Sequence, residues 1–272
     1  MPYDAEISRT NPSCFLFLID QSGSMSDNVG GSPETKAQAL ARVINELLMN
    51  LCIRCTVNPR EGIRYYYDVG VLGYGRNNTV SPALEGALAD RELIPIPEIA
   101  NNPLRIHEVE QNGRLRRFPI WLEPVADNGT PMCEALRVAY AILEPWVTQH
   151  PNSFPPTVIN ITDGQPTDGD PLPEAQRIQQ LTTKDGNVLM FNVHISETTA
   201  NPIYYPDDES RLPDDYARML FRMSSALPSH MVQAAQQERM PVTSASRGFV
   251  FNANMSDVIR FLNIGTRPKK LR

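Results

Sequence analysis

Residues 14–19, Cys-Phe-Leu-Phe-Leu-Ile, run straight into Asp20 and then into Gln21-Ser22-Gly23-Ser24-Met25. An apolar run without alternation, bounded by a turn, suits a strand covered on both faces, as central strands of parallel sheets are. A parallel neighbour can be reached only through a crossover, usually helical, so this stretch commits the chain to an α/β build.

The rest of the chain keeps to that plan. From Pro33 a helical pattern carries Leu40, Val43, Ile44, Leu47, Leu48, Leu51 and Cys52 at three- and four-residue intervals. Residues 65–75, 156–163 and 187–195 read as strands, and 248–253 as a short last one. Thr130-Pro131 opens a helix with the stripe Met132, Ala135, Leu136, Ala139, Ile142 and Leu143, because proline is tolerated in a first turn. Further helices are predicted over 173–183, 213–224 and 229–240, and from Ser256, read as a cap, through Leu262. The expected fold is α/β: a doubly wound, mostly parallel central sheet, helices on both faces and one antiparallel edge strand. Residues 76–117, rich in proline, asparagine and charge, read as an insertion ending in an edge strand at 118–122. The organisation is then an N-terminal extension over 1–13, one domain over 14–264 containing that insertion, and a basic tail over 265–272.

Of the 272 residues 41% are hydrophobic, enough for a sizeable core, and the formal net charge of −6 argues against a nucleic-acid binder. No run of ~20 apolar residues is present to span a membrane, and the polar N-terminus does not read as a secretory signal. A cytoplasmic location is therefore expected, with Cys14, Cys52, Cys55 and Cys133 as reduced thiols. Cys52 and Cys55 fall on the apolar face of their helix, which favours buried thiols over a zinc site.

In open α/β sheets ligands bind beyond the carboxyl ends of the strands. Asp20 and Asp163 each end a predicted strand, Thr130 begins a helix, and Ser22 and Ser24 leave Asp20 at alternate positions. Singly these are turn residues and a cap. Together they offer two carboxylates and three hydroxyls, hard oxygen donors suited to Mg²⁺, Mn²⁺ or Ca²⁺ rather than to zinc. Asp168 and Asp170 read as solvated carboxylates at the rim.

Asp20-Gln21-Ser22-Gly23-Ser24 resembles the DxSxS motif of von Willebrand factor A domains, Thr130 their separate threonine, and Asp163-Gly164 their second aspartate. In order and strand context the resemblance extends over about 14–262. It implies a metal-ion-dependent adhesion site, in which the serines and threonine ligate a divalent cation and the aspartates act directly or through water. A remaining position accepts a carboxylate from a partner. The function implied is a non-enzymatic, metal-dependent protein–protein interaction module, with Mg²⁺ as first choice, Mn²⁺ or Ca²⁺ as alternatives, and no nucleic acid or membrane. Free-standing intracellular members commonly act in multiprotein assemblies. Some small bacterial ones, similar to the tellurium-resistance-associated type, accompany a protein kinase and phosphatase. The loop at 196–212 is expected to rise on the same edge and shape partner choice. The alternative is a metal-dependent hydrolase or phosphatase on a similar sheet. Against it, an aspartyl phosphatase wants a second carboxylate two residues after the first, where this chain has Ser22.

Overall fold

The apolar run forms β1 (Ser13–Asp20), buried along its whole length. The computed structural model describes residues 2–29, 32–56, 58, 60–111, 114–195 and 201–266. After β1 come α1 (Lys36–Arg54), β2 (Tyr67–Tyr74), β3 (Val80–Pro82), β4 (Ile94–Pro95), α2 (Ile96–Asn101), β5 (Arg105–Gln111) and β6 (Arg114–Ile120). The second half carries α3 (Met132–Gln149), β7 (Thr157–Thr162), α4 (Leu172–Gln180), β8 (Thr182–Thr183), β9 (Gly186–Asn187) and β10 (Leu189–Ile195). It closes with β11 (Ile203–Tyr204), α5 (Asp215–Met223), α6 (Ser229–Gln237), β12 (Phe249–Ala253) and α7 (Met255–Gly265).

The main sheet has the order β11-β12-β10-β7-β1-β2-β3. All pairs among β12, β10, β7, β1 and β2 are parallel. Antiparallel strands occur only at its margins, β3 and β4 against β2 and β11 against β12. Alternate residues of β1 serve two cores, since strand side chains point to opposite faces. Phe15, Phe17 and Ile19 pack with α1, α2, α6 and α7, whereas Cys14, Leu16 and Leu18 pack with α3, α4 and α5. The doubly wound sheet with helices on both faces is as expected, and all four cysteines are free and buried. No helix among the described residues is long and apolar enough to cross a membrane.

Three local expectations are corrected. Residues 118–122 do not form an edge strand of the main sheet, because β6 pairs only with β5 in a separate hairpin. Just beyond it the Asn45 side chain accepts from Trp121 N at 2.8 Å and donates to Leu122 O at 3.0 Å. Those backbone groups are thus claimed by α1 and not by a ladder. The edge role passes to β3 and β4.

The last helix is capped by Asn254, not Ser256. Asn254 Oδ1 accepts from Asp257 N at 3.0 Å while Asp257 Oδ2 accepts from Asn254 N at 3.2 Å, a reciprocal capping box.

The segment expected as a loop over 196–212, rising on the edge of the site, lies partly outside the described residues. From Ile203 it is built into the fold: β11 pairs with β12, and Tyr205 is 2% exposed with its ring stacked on Phe261. Residues 267–272 of the basic tail also lie outside the described residues.

Candidate functional site

From β1 the chain moves outward to β2 on one side, then returns to place β7 on the other. The strand order therefore reverses between β1 and β7, the position where open α/β sheets form a crevice. Ile19 is in register with Ile161, so Asp20 leaves β1 level with the end of β7 and one step before Asp163.

Asp20 is 1% exposed and fully engaged. One carboxylate oxygen accepts from Ser22 N at 2.8 Å and the other from Thr162 Oγ1 at 2.8 Å. Burial pushes its carboxyl up to about 6; the Asp163 charge acts the same way, and the bonds from Ser22 and Thr162 oppose both. Ser22 Oγ lies 3.1 Å from Ser24 Oγ, and Ser24 Oγ donates to Asp163 Oδ1 at 2.8 Å. The Ser22 and Ser24 hydroxyls thus lead to Asp163, and Ser22 N ties the same turn to Asp20.

Thr130 comes from the loop before α3, which backbone bonds lace to the β1 exit. Gly23 N donates to Asn128 O at 2.9 Å and Asp127 N to Gln21 O at 2.7 Å. Thr130 N donates to Thr167 Oγ1 at 3.0 Å and Thr167 N returns a bond to Thr130 O at 2.9 Å. A β-carbon built on Gly164 would lie 3.8 Å from Ser24 Oγ and 3.9 Å from Thr130 Oγ1, so both hydroxyls flank that glycine. Thr130 is 5% exposed, and its Oγ1 makes no hydrogen bond among the described residues. A hydroxyl in that state is an available donor atom.

Gly75 makes the close approach of β2 possible. Its φ is +131°, and an added β-carbon would meet the Gln21 carbonyl carbon and Ser22 N at 2.6 Å. Any side chain there would push the β1 exit loop away.

All five residues singled out in the sequence, Asp20, Ser22, Ser24, Thr130 and Asp163, therefore gather at one sheet edge. Asp168 is exposed, as expected, but it also has a structural role: its two oxygens accept from Cys133 N at 3.0 Å and Glu134 N at 2.9 Å, which caps α3. Two further participants were not foreseen. Thr162 anchors Asp20, and the ammonium of Lys36 lies 2.5 Å from Asp163 Oδ2. Lys36 was detectable, since it precedes Leu40 and Val43 by four and seven residues and so falls on the buried stripe of α1. Beside Asp163, burial lowers the pKa of His194 to about 4 although the Asp163 charge pulls upward, so the imidazole is neutral at pH 7. It stacks on Phe251 at 4.3 Å and meets Tyr216 edge-on at 5.6 Å.

Among the described residues no group of three or more His, Cys, Asp or Glu side chains is placed to hold a metal. The donors gathered here are of another kind, hydroxyl oxygens supplemented by two carboxylates. Such a set matches the chemistry of a hard divalent cation.

No family model matches the chain, and no curated protein matches it. Among solved structures it is similar to the manganese-loaded TRAP protein of Plasmodium vivax, at 14% identity and a TM-score of 0.45 over 96% of this chain and 76% of that one. It is also similar to the minor pilin PilB of Streptococcus sanguinis, at 10% identity and a TM-score of 0.49 over 94% and 60% of the two chains. A third likeness, to the pilus adhesin RrgA of Streptococcus pneumoniae, has 19% identity and a TM-score of 0.31 over 60% and 22%. Likenesses of this size assign neither family nor activity.

Proposed function

We propose that this protein is a von Willebrand factor A-like interaction module whose site binds a divalent cation and, through it, a carboxylate of a partner protein. One observation carries the reading: Asp20, Ser22, Ser24 and Asp163 form an unbroken hydrogen-bonded set at the switch point, with the unbonded Thr130 hydroxyl beside it.

In this reading Ser22, Ser24 and Thr130 contribute neutral oxygens, and Asp20 and Asp163 contribute charge directly or through water. The cation, Mg²⁺ first and Mn²⁺ or Ca²⁺ next, supplies an electrophile that an external carboxylate can reach, because neutral ligands leave its charge only partly offset. The protein residues do the rest. Thr162 and Ser22 N fix the orientation of Asp20, and the bonds from Asp127 and Gly23 hold the Thr130 loop against the β1 exit. The function is binding and not turnover, carried out in the cytoplasm within a multiprotein assembly. A kinase and phosphatase pair is the first partner class to try.

The test is calorimetric titration of the purified chain with Mg²⁺, Mn²⁺ and Ca²⁺, alongside partner capture with and without chelator. Binding of at least one ion, lost by more than tenfold in Thr130→Ala with the fold retained, is the expected result. Unchanged ion affinity and unchanged partner recovery in Thr130→Ala would overturn the reading. Turnover of a generic phosphoester that vanishes in Asp20→Ala would replace it with a metal-dependent phosphatase.

A further inference from the structure

Lys36 is the first residue of α1, yet it is 1% exposed. Its ammonium lies 2.5 Å from Asp163 Oδ2 and 3.8 Å from Asp27 Oδ2. The two carboxylates differ in setting: the Asp163 side chain is 0% exposed, whereas that of Asp27 is 56% exposed. Asp27 is also fixed in place, because its carbonyl accepts from Lys36 N at 2.9 Å and its own N donates to Ser24 O at 3.1 Å. The other oxygen of Asp163 is taken by Ser24 Oγ at 2.8 Å.

A cation held by Asp163 and the Lys36 ammonium would be like charges sharing one buried carboxylate. Their repulsion is strong where water is excluded, and desolvated charges are stable only when paired. Either the ammonium stays and the ion is held weakly, or the ammonium leaves for another carboxylate. Asp27 is such a carboxylate, on the solvent side of the same lysine.

We propose that Lys36 is a tethered cation that competes with the divalent ion for Asp163, and that Asp27 is its alternative seat when the ion is bound. The proposal rests on the metal-site reading above and adds a regulatory element to it. Ion binding is coupled to a side-chain transfer from Asp163 to Asp27, so the two equilibria bias each other reciprocally. Lys36 keeps the ion-free fold neutralised, and it lowers affinity for the ion.

Mn²⁺ titration of the full chain, followed by calorimetry and by the melting midpoint with and without the ion, tests this in wild type, Lys36→Met, Asp27→Asn and the double variant. Lys36→Met should bind Mn²⁺ at least tenfold more tightly while melting lower in chelator. Asp27→Asn, which removes the alternative seat, should bind about threefold more weakly. In the Lys36→Met background the Asp27 change should have no effect, the signature of two residues acting on one event. Should Lys36→Met fail to fold, Lys36→Gln takes its place, and the Asp27→Asn arm needs neither. Mn²⁺ affinity in the Lys36 variants equal to or weaker than wild type overturns the proposal, as does an equal Asp27→Asn effect with and without Lys36. If Thr130→Ala still abolishes binding in that event, the metal site stands and only the role of Lys36 falls. If no folded variant binds Mn²⁺, the metal-site reading falls and takes this proposal with it. Binding seen in Lys36→Met but not in wild type supports both.

Discussion

The ends of β1 and β7 lie side by side, with Asp20 the last residue of one and Asp163 the first residue beyond the other, yet the two carboxylates are compensated by opposite means. Asp20 is surrounded by neutral donors, Ser22 N and Thr162 Oγ1. Asp163 has a neutral donor on one oxygen and the Lys36 ammonium on the other. Neutral donors reduce the cost of a buried charge without cancelling it, which is why Asp20 still prefers its proton up to about pH 6. An ammonium cancels the charge and ties the carboxylate to itself. Two neighbouring strand ends carrying the same residue type thus present one carboxylate that is uncompensated in charge and one that is shared.

The sharpest way to break this comparison is to neutralise each aspartate in turn. Asp163→Asn leaves Lys36 in a buried position without its nearest carboxylate, and removal of one partner from a buried pair costs about 3 kcal/mol or more. Asp20→Asn removes a charge that no cation offsets at that position, and an amide oxygen can still accept one of the two bonds. Its expected cost in chelator is below about 1 kcal/mol, within the range of a single exchanged hydrogen bond. Urea denaturation of the two variants measures both. Equal losses would show that the strand ends are not compensated differently.

Acidification separates the same two ends by sign. The folded value for Asp20, about 6, lies above its ordinary 3.8, so the fold favours the protonated form. Stability from this group therefore rises as pH falls from about 6 toward 3.8, by about 3 kcal/mol. His194, packed beside Asp163, has a folded value of about 4 against an ordinary 6.5. There the unfolded chain takes the proton first, and stability is lost as pH falls from 6.5 toward 4, again by about 3 kcal/mol. The two contributions oppose each other over nearly the same window in metal-free wild type. Asp20→Asn should uncover the histidine, so its stability, followed by denaturant titration in chelator, drops by about 3 kcal/mol between pH 6.5 and 4 relative to wild type. Parallel pH profiles for the two proteins would contradict the assignment.

How far the sequence carried the reading depends on whether each residue's role follows from local pattern. β1, α1 and the strand-end positions of Asp20 and Asp163 follow from continuous apolar runs and helical spacing, and they hold within two or three residues. Residues 118–122 could not be placed that way, because 118–120 pair with β5 in a separate hairpin while the backbone of Trp121 and Leu122 bonds to Asn45, more than seventy residues away. Tyr205 sits in a stretch whose prolines and acids read as loop, and its burial depends on pairing with β12 and stacking on Phe261. Ser256 was a reasonable cap by residue type, but Asn254 with Asp257 completes a reciprocal pair that Ser256 lacks. Lys36 is hard to single out in the sequence because a lysine is expected in water, although its register on α1 places it inside.

Asp168 gives the smallest of the expected effects and extends the comparison to the third part of the site. Proline at the α3 boundary offers no side-chain acceptor, so the exposed N–H groups of its first turn must be satisfied from elsewhere. The Asp168 carboxylate supplies both bonds, to Cys133 N and Glu134 N, from the loop that follows β7. Its neighbour Thr167 exchanges bonds with Thr130, so the cap and the Thr130 loop are held by the same short segment. Asp168→Ala should cost about 1 kcal/mol, the usual value of a helix cap, and Asp168→Asn should recover part of it by accepting one bond. The loss belongs to the β7 side alone. Amide hydrogen exchange should therefore quicken at residues 130–134 in Asp168→Ala while Ser22 N, held by Asp20, keeps its wild-type protection. If Ser22 N also loses protection, the three segments of the site open as one unit, and the β1 and β7 ends are less independent than their different chemistry suggests.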